Sequence, residues 1–429
     1  MASQDTPVPQ DRQFAFQDVP AMQAAVYEIV YATPVTDIHT HLYAPAFGEL
    51  LLWGIDETLT YHYLIAEFFR ASDLSYDQFW AMDKQDQADA IWDALFLKQS
   101  PFSEGCRGPI TILHRLGLNV ASRDLGAYRA WFAARNGPDY VEEVFRVANL
   151  RHAIMTNDPF DPLERPVWDS GFAGDPRFPA ALRIDPLLND WGSAYGQLSA
   201  WGYGVGAELT DATLSEVRRF LSDWVTRMEA KYMAVSLPPD FAFPEATPRA
   251  LLIEECVLPV ARFFNIPFAM MIGVTRKVNP ALRLAGDGVG TASLAPVERL
   301  CAGFPQNKFM VTFLSRENTH SACVAARKFR NLLPFGCWWF LNDPSLIEEM
   351  TRMRFELLGP SVIPQHSDAR ILDQVIYKWD HSRMIIAKVL ADKYEDLLRS
   401  GWIIRECEIR RDAEGLLGGI FWRFLDRKL

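Results

Sequence analysis

Eight short apolar runs rich in β-branched and aromatic residues recur along the chain. Their spacing constrains the fold more than any other feature. They cover 34–39 (PVTDIH), 151–157 (RHAIMTN), 180–184 (AALRI), 232–237 (YMAVSL), 267–272 (PFAMMI), 308–314 (KFMVTFL), 334–340 (PFGCWWF) and 361–366 (SVIPQH). Their apolar residues run on rather than alternating with polar ones, as in parallel strands buried on both faces. Most are separated by about 20 to 45 residues, room for a crossover helix and its loops. Eight such units predict an α/β protein built as a (β/α)8 barrel. Gly336 and Pro364 fall inside the last two runs.

One interval is out of line. About 110 residues separate His39 from the second run, where an ordinary βα loop has only a few. Helical patterning at 58–71, 76–82, 87–99 and 124–137 fills that interval. The expectation is a distorted barrel with a helical insertion after strand 1, at about 45–150. It would sit at the C-terminal mouth, where it can serve as a lid. A helical tail is expected from about Ile371 to Leu429, the whole of 1–429 forming a single barrel domain.

The chain has 429 residues, enough for a large core, with 49% apolar and 23% charged residues, as in ordinary soluble proteins. A net charge of −11 argues against nucleic acid or an anionic membrane as partner. An anionic substrate would need arginines placed locally. No apolar run approaches the ~20 residues of a membrane span. The opening stretch MASQDTPVPQDRQFAF is polar and lacks a signal-peptide core, so a cytoplasmic location is expected. Six scattered cysteines without a CxxC pair read as buried free thiols.

Barrels of this kind carry their active sites at the C-terminal ends of the strands. Here those ends hold His39 and His41, Asn157 and Asp158, Arg183 and Asp185, Gly273 and Arg276, and Ser315, Arg316 and Glu317. The last two hold Trp338, Trp339 and Asn342, then His366, Asp368 and Arg370. Strand residues i and i+2 share a face, so His39 and His41 can both face the mouth. Imidazoles suit zinc, iron, manganese or nickel, and a third ligand is needed. Asp368 qualifies, because strand 8 closes the barrel beside strand 1. Three protein ligands with open positions mark a catalytic rather than a structural site. The competing readings are an Asp37–His39 hydrogen-bonded pair, Asp368 as a helix N-cap, both tryptophans as core, and His366 as a satisfied barrel histidine.

Several long motifs carry a family resemblance. TDIHTHL (36–42) is similar to the strand-1 motif of the amidohydrolase superfamily. TLTYHYL (58–64), MTNDPFD (155–161), ALRIDPLLN (181–189), FGCWWFLNDP (335–344) and HSDAR (366–370) resemble uronate isomerases, also called glucuronate isomerases. The resemblance implies a distorted (β/α)8 barrel. It also implies isomerisation of D-glucuronate to D-fructuronate and of D-galacturonate to D-tagaturonate, within cytoplasmic hexuronate catabolism. Carried over by motif, His39, His41 and Asp368 are metal ligands, and His62, Tyr63, Arg183 and Arg370 line the substrate pocket. The implied cofactor is one divalent ion, zinc first among the candidates. A homo-oligomer is expected, with the Trp- and Phe-rich tail as its interface. The chain departs from many relatives at Met271, where a histidine is common. Strand 6 ends without a histidine, and strand 4 has no lysine, so a binuclear hydrolytic centre lacks its ligands.

Isomerising a uronate through an enediolate needs a base, an acid, oxyanion stabilisation and an anchor for the carboxylate. Arg183 is the expected anchor, with Arg276 second, since a guanidinium pairs bidentately with a carboxylate. The metal or Arg370 would stabilise the enediolate. Asp368 or a metal-bound hydroxide would be the base. Tyr63 and His62 are candidates for shuttling a hydroxyl proton or opening the ring, and Trp339 for a sugar platform. The alternatives are a metal-dependent hydrolase or decarboxylase on the same barrel, and a metal-free binding barrel.

Overall fold

The computed structural model describes residues 15–429; most of the polar N-terminal stretch lies outside them. Seven parallel strands form one sheet in sequence order: β1 (Val35–Thr40), β2 (Leu150–Asn157), β3 (Ala180–Arg183), β4 (Met233–Leu237), β5 (Phe268–Ile272), β6 (Phe309–Phe313) and β7 (Leu332–Pro334). Pairing is in step from β4 to β7, with Met233 opposite Phe268 and Phe268 opposite Phe309. Between β1 and β2 the register shifts twice. Strands β1, β5 and β6 are buried along their whole length; β5 is wholly apolar, whereas β1 buries Thr36, Asp37, His39 and Thr40 as well.

The expected eighth strand is not regular. Between Ser361 and His366 only Ile363 pairs, bridging to Phe335. Pro364 has no N–H to donate. Side chains satisfy this backbone instead. Arg354 donates to the Pro364 carbonyl at 3.3 Å, Asn342 to the His366 carbonyl at 3.1 Å, and the Ser367 N–H to Asp37 at 3.1 Å. The segment still closes the barrel. Ile363 accepts from Gly336 N–H at 2.8 Å on one side. On the other, Asp368 N–H donates to the His39 carbonyl at 3.2 Å and Ala369 accepts from His41 N–H at 2.7 Å. The seventh strand is also shorter than expected. It ends at Pro334, and the chain turns at Gly336 (φ 62°) into a 3-10 turn at Trp339–Leu341. Trp338 and Trp339 therefore do not alternate in a strand.

The interval after β1 is helical, as its patterning predicts, but more finely divided. Its helices include Ile55–Leu59, His62–Ala71, Tyr76–Trp80, Lys84–Trp92, Glu104–Arg115, Leu125–Ala133 and Gly137–Ala148. The break at Thr60–Tyr61 places His62 on the first turn of its helix. An antiparallel pair, Val274–Thr275 with Gly288–Val289, extends the loop after β5, which the sequence reading did not foresee.

The tail is helical over Gln374–Arg399, Glu406–Glu414 and Ile420–Asp426. Its last helix closes the N-terminal end of the barrel. Phe421 and Phe424 are buried with Ile38, Ile154, Tyr232 and Met310 in the interior cluster, and Trp422 donates to Thr36. Each buried phenylalanine removes apolar area worth about 2 kcal/mol. The tail's phenylalanines are thus spent within the chain, while Trp402 and Ile403 stay exposed. No described helix is long and apolar enough to cross a membrane.

Candidate active site

His39, His41 and Asp368 converge at the barrel mouth, their ligand atoms all within 4.8 Å of one another. Asp368 Oδ1 lies 3.7 Å from His39 Nε2 and 3.3 Å from His41 Nε2. Asp368 sits at φ 54°, a left-handed conformation tolerated by aspartate, which turns its carboxylate in from the irregular eighth segment. Asp37 meets His39 through the backbone N–H and not through its imidazole, and also accepts from the Ser367 N–H and from Trp379 Nε1 at 2.7 Å. Nor does Asp368 cap a helix, the next one beginning at Gln374.

Two hydroxyls set the imidazole tautomers. Tyr232 donates its proton to the Ile38 carbonyl at 2.7 Å, so its oxygen can only accept from His39 Nδ1 at 3.1 Å. Thr156 likewise donates to the Thr40 carbonyl at 2.8 Å and faces His41 Nδ1 at 3.0 Å. Both rings then carry hydrogen on Nδ1 and a lone pair on Nε2, toward Asp368. Burial, before any neighbouring charge, lowers both imidazole pKa values, that of His39 to about 3. Neutral rings with free Nε2 lone pairs beside a carboxylate are the donor set a divalent ion requires. His39 Nε2 and Asp368 Oδ1 are buried with no hydrogen-bond partner, as atoms reserved for such an ion would be.

His366, expected as a satisfied histidine, has neither ring nitrogen hydrogen-bonded. It packs between the rings of His39 and Phe335, each 5.3 Å away. Gly336 makes room for it, since a Cβ there would lie 1.7 Å from His366 Nδ1.

The cavity beside the cluster is lined by His62, Arg183, Arg276, Trp339 and Arg370, with Thr156, Ser236, Met271 and Trp338. Arg183 is held by a two-pronged pair with Asp185, both contacts at 3.0 Å, and Asp185 accepts in turn from Ser236 N–H. That pairing leaves Arg183 Nη1 outside the pair. Arg276 meets Asp287 at 2.6 Å. Arg370 has no ion-pair partner among the described residues, so its guanidinium is not tied to a carboxylate. His62 lies edge-on to Trp339 at 5.3 Å, with its Nε2 unpartnered, and burial holds it well below the usual histidine range. Trp339, at φ 46°, stacks on Phe340 and leaves its Nε1 unpartnered.

Tyr63 is the one named site residue placed outside this cavity. It lines an adjoining chamber that shares His62 and Trp339 as a wall, 5.3 Å from Lys378. Burial raises its hydroxyl pKa well above 10, so it stays protonated.

Tyr232, Thr156 and Asp287 escaped the reading of the sequence. A tyrosine inside an otherwise apolar strand must find a partner for its hydroxyl, and that was the available signal for Tyr232. Asp287 lies in a Gly-rich loop with no comparable sign.

No protein-family model matches the chain, and no curated protein matches it. Among solved structures, a uronate isomerase from Bacillus halodurans C-125 is 55% identical, over 96% of this chain and 98% of that one, with a TM-score of 0.95. A uronate isomerase from Thermotoga maritima covers 95% of this chain and 100% of its own at 15% identity and TM-score 0.74. A glucuronate isomerase from Caulobacter crescentus covers 98% and 97% at 14% identity, also with TM-score 0.74. The latter two share the fold.

Proposed function

Because this chain belongs to the uronate isomerase family, we propose that it interconverts D-glucuronate with D-fructuronate and D-galacturonate with D-tagaturonate. It is an enzyme of the uronate isomerase type. The observation that carries the detailed reading is the mouth itself: two tautomer-fixed histidines and an aspartate beside a cavity lined by three arginines. A resident divalent ion, zinc by preference of two imidazoles and a carboxylate, would supply Lewis-acid polarisation of a substrate oxygen.

The chain's own groups do the rest. Arg183 is fixed by Asp185 and offers Nη1 to the substrate carboxylate, which limits the conformational entropy lost on binding. Asp368 turns Oδ1 to the histidines, and its other oxygen takes the proton from C2. The electron pair moves into the C1–C2 bond and negative charge develops on O1. Arg370, free of any acid, stabilises that oxyanion. The same carboxyl returns its proton to C1 as the C2 carbonyl forms. His62, neutral and unpartnered at Nε2, accepts the O2 hydroxyl proton and delivers it to O1, so that O1 ends as a hydroxyl, O2 as the carbonyl and His62 neutral again. The protonated Tyr63 behind it is a donor in reserve. Trp339 offers its ring face and Nε1 to the sugar, with Arg276 at the rim. This reading places the enzyme in the cytoplasm, as a homo-oligomer acting on hexuronates.

The test is coupled detection of fructuronate formed from glucuronate. Ketose formation from either uronate is expected. Turnover of an ester or amide in its place, with no ketose, would overturn the reading.

A further inference from the structure

A cavity of about 580 Å³ lies at the end of the barrel that the tail closes, away from the metal-ligand cluster. Arg330, Arg411, Arg423 and Arg427 line it, against one carboxylate, Asp412. Asp412 is already engaged by Arg411 at 2.8 Å and by the Tyr394 hydroxyl at 2.7 Å. Arg330, Arg423 and Arg427 have no ion-pair partner among the described residues, although the chain as a whole carries a net charge of −11. The further acids nearby are Glu414, in a neighbouring cavity that Arg423 also lines, and Asp426 at the end of the last helix, which does not line this cavity. Guanidinium groups cannot shed their charge, so four exposed arginines around one engaged carboxylate leave the cavity positive and open to an anion.

Two of the arginines are held in place. Arg423 lies close over glycine backbone: a Cβ at Gly415 would come 3.0 Å from its Nη2, and one at Gly419 would come 3.1 Å from its Nη1. Arg427, four residues on at the C-terminal cap of the last helix, donates through Nη1 to the Arg330 carbonyl at 2.9 Å. Buried Lys308 holds that turn by donating to the carbonyls of Leu425 and Arg427. Both guanidiniums keep further N–H donors, and Phe329, Leu358 and Phe424 give the cavity an apolar wall.

We propose that this cavity binds a small phosphate monoester, its phosphate on Arg423 and Arg427 and its organic part against the apolar wall. A dianion matches two unpaired guanidiniums and their planar forks. The volume is that of a small-molecule site and leaves room for more than inorganic phosphate.

Calorimetry on the metal-loaded enzyme tests this, with phenyl phosphate as probe, phenol as its uncharged control and inorganic phosphate as the bare anion. Binding of phenyl phosphate should be saturable, tighter than that of inorganic phosphate, and absent for phenol. It should weaken about tenfold or more in the Arg423→Gln/Arg427→Gln double variant. It should persist in Arg183→Met, which removes the carboxylate anchor of the mouth. Uronate isomerisation by the double variant should be unchanged, which also reports that it folds. Should the double variant not fold, Arg427→Gln alone, at an exposed position, serves the same test. The absence of saturable binding at about 10 mM would overturn the proposal. So would binding lost in Arg183→Met but kept in the double variant, which would place the anion at the mouth.

Discussion

At the residue scale, the chemistry of the mouth rests on two hydroxyls that orient the histidines. Tyr232 and Thr156 each commit their proton to a β1 carbonyl and so force the lone pair of a histidine onto Nε2. Removing such a partner costs about 10- to 100-fold in metal affinity. Tyr232→Phe and Thr156→Val should therefore weaken zinc binding by that order, read by competition with a chromophoric chelator. Unchanged affinity would show that the tautomers are set some other way. For the arginine anchor, Arg183→Met should raise KM and lower kcat, with kcat/KM falling about 10- to 100-fold for a lost charged hydrogen bond. An unchanged kcat/KM would remove Arg183 from the site. Asp368→Asn should abolish turnover while the circular dichroism spectrum stays native, since it removes both a ligand charge and the proposed base. His39, His41 and Asp368 were legible in the sequence because the i, i+2 rule and the strand-end rule are local. Tyr232 and Thr156 were not, because each lies more than a hundred residues from the histidine it orients.

At the element scale, the strand ends are fixed by buried carboxyls. Glu164 ties down the end of β2, accepting from Asn157 at 2.9 Å, Tyr43 at 2.7 Å and Asp158 N–H at 3.0 Å. Burial outweighs these bonds and pushes its pKa up to about 7, from 4.5. A carboxyl with a raised folded pKa contributes its full stability below the unfolded value and loses it as pH rises through the folded one. Compared with Glu164→Gln, the wild type should thus lose up to about 3 kcal/mol between about pH 4.5 and pH 8. Urea unfolding of both proteins across that range measures it, and a difference that does not change with pH would refute it. The helical insertion and tail were legible from periodicity. The break before His62, the hairpin after β5 and the early end of β7 were not. Each depends on what the neighbouring element offers the backbone rather than on propensity.

At the scale of the whole molecule, the barrel is stoppered by its own tail. Phe421, wholly buried against Tyr232, fills the N-terminal end. Phe421→Ala should destabilise the protein by about 3–5 kcal/mol, the usual cost of deleting a buried phenyl ring. Differential scanning calorimetry should show a lower Tm while KM for the uronate stays the same. A variant as stable as the wild type would mean that the tail is not the stopper.

The sequence by itself determined the succession of parallel strands and helices, the insertion after the first strand, and the HxH pair with its distant aspartate. These follow from burial patterns and side-chain parity, which are properties of the chain read in order. Only the tertiary structure decided how the eighth segment closes the barrel without becoming a strand. It also decided which hydroxyls orient the ligands, which arginine is left without an acid, and where Tyr63 sits. Those outcomes turn on satisfying buried polar groups from partners far apart in the chain, and no local pattern encodes that choice.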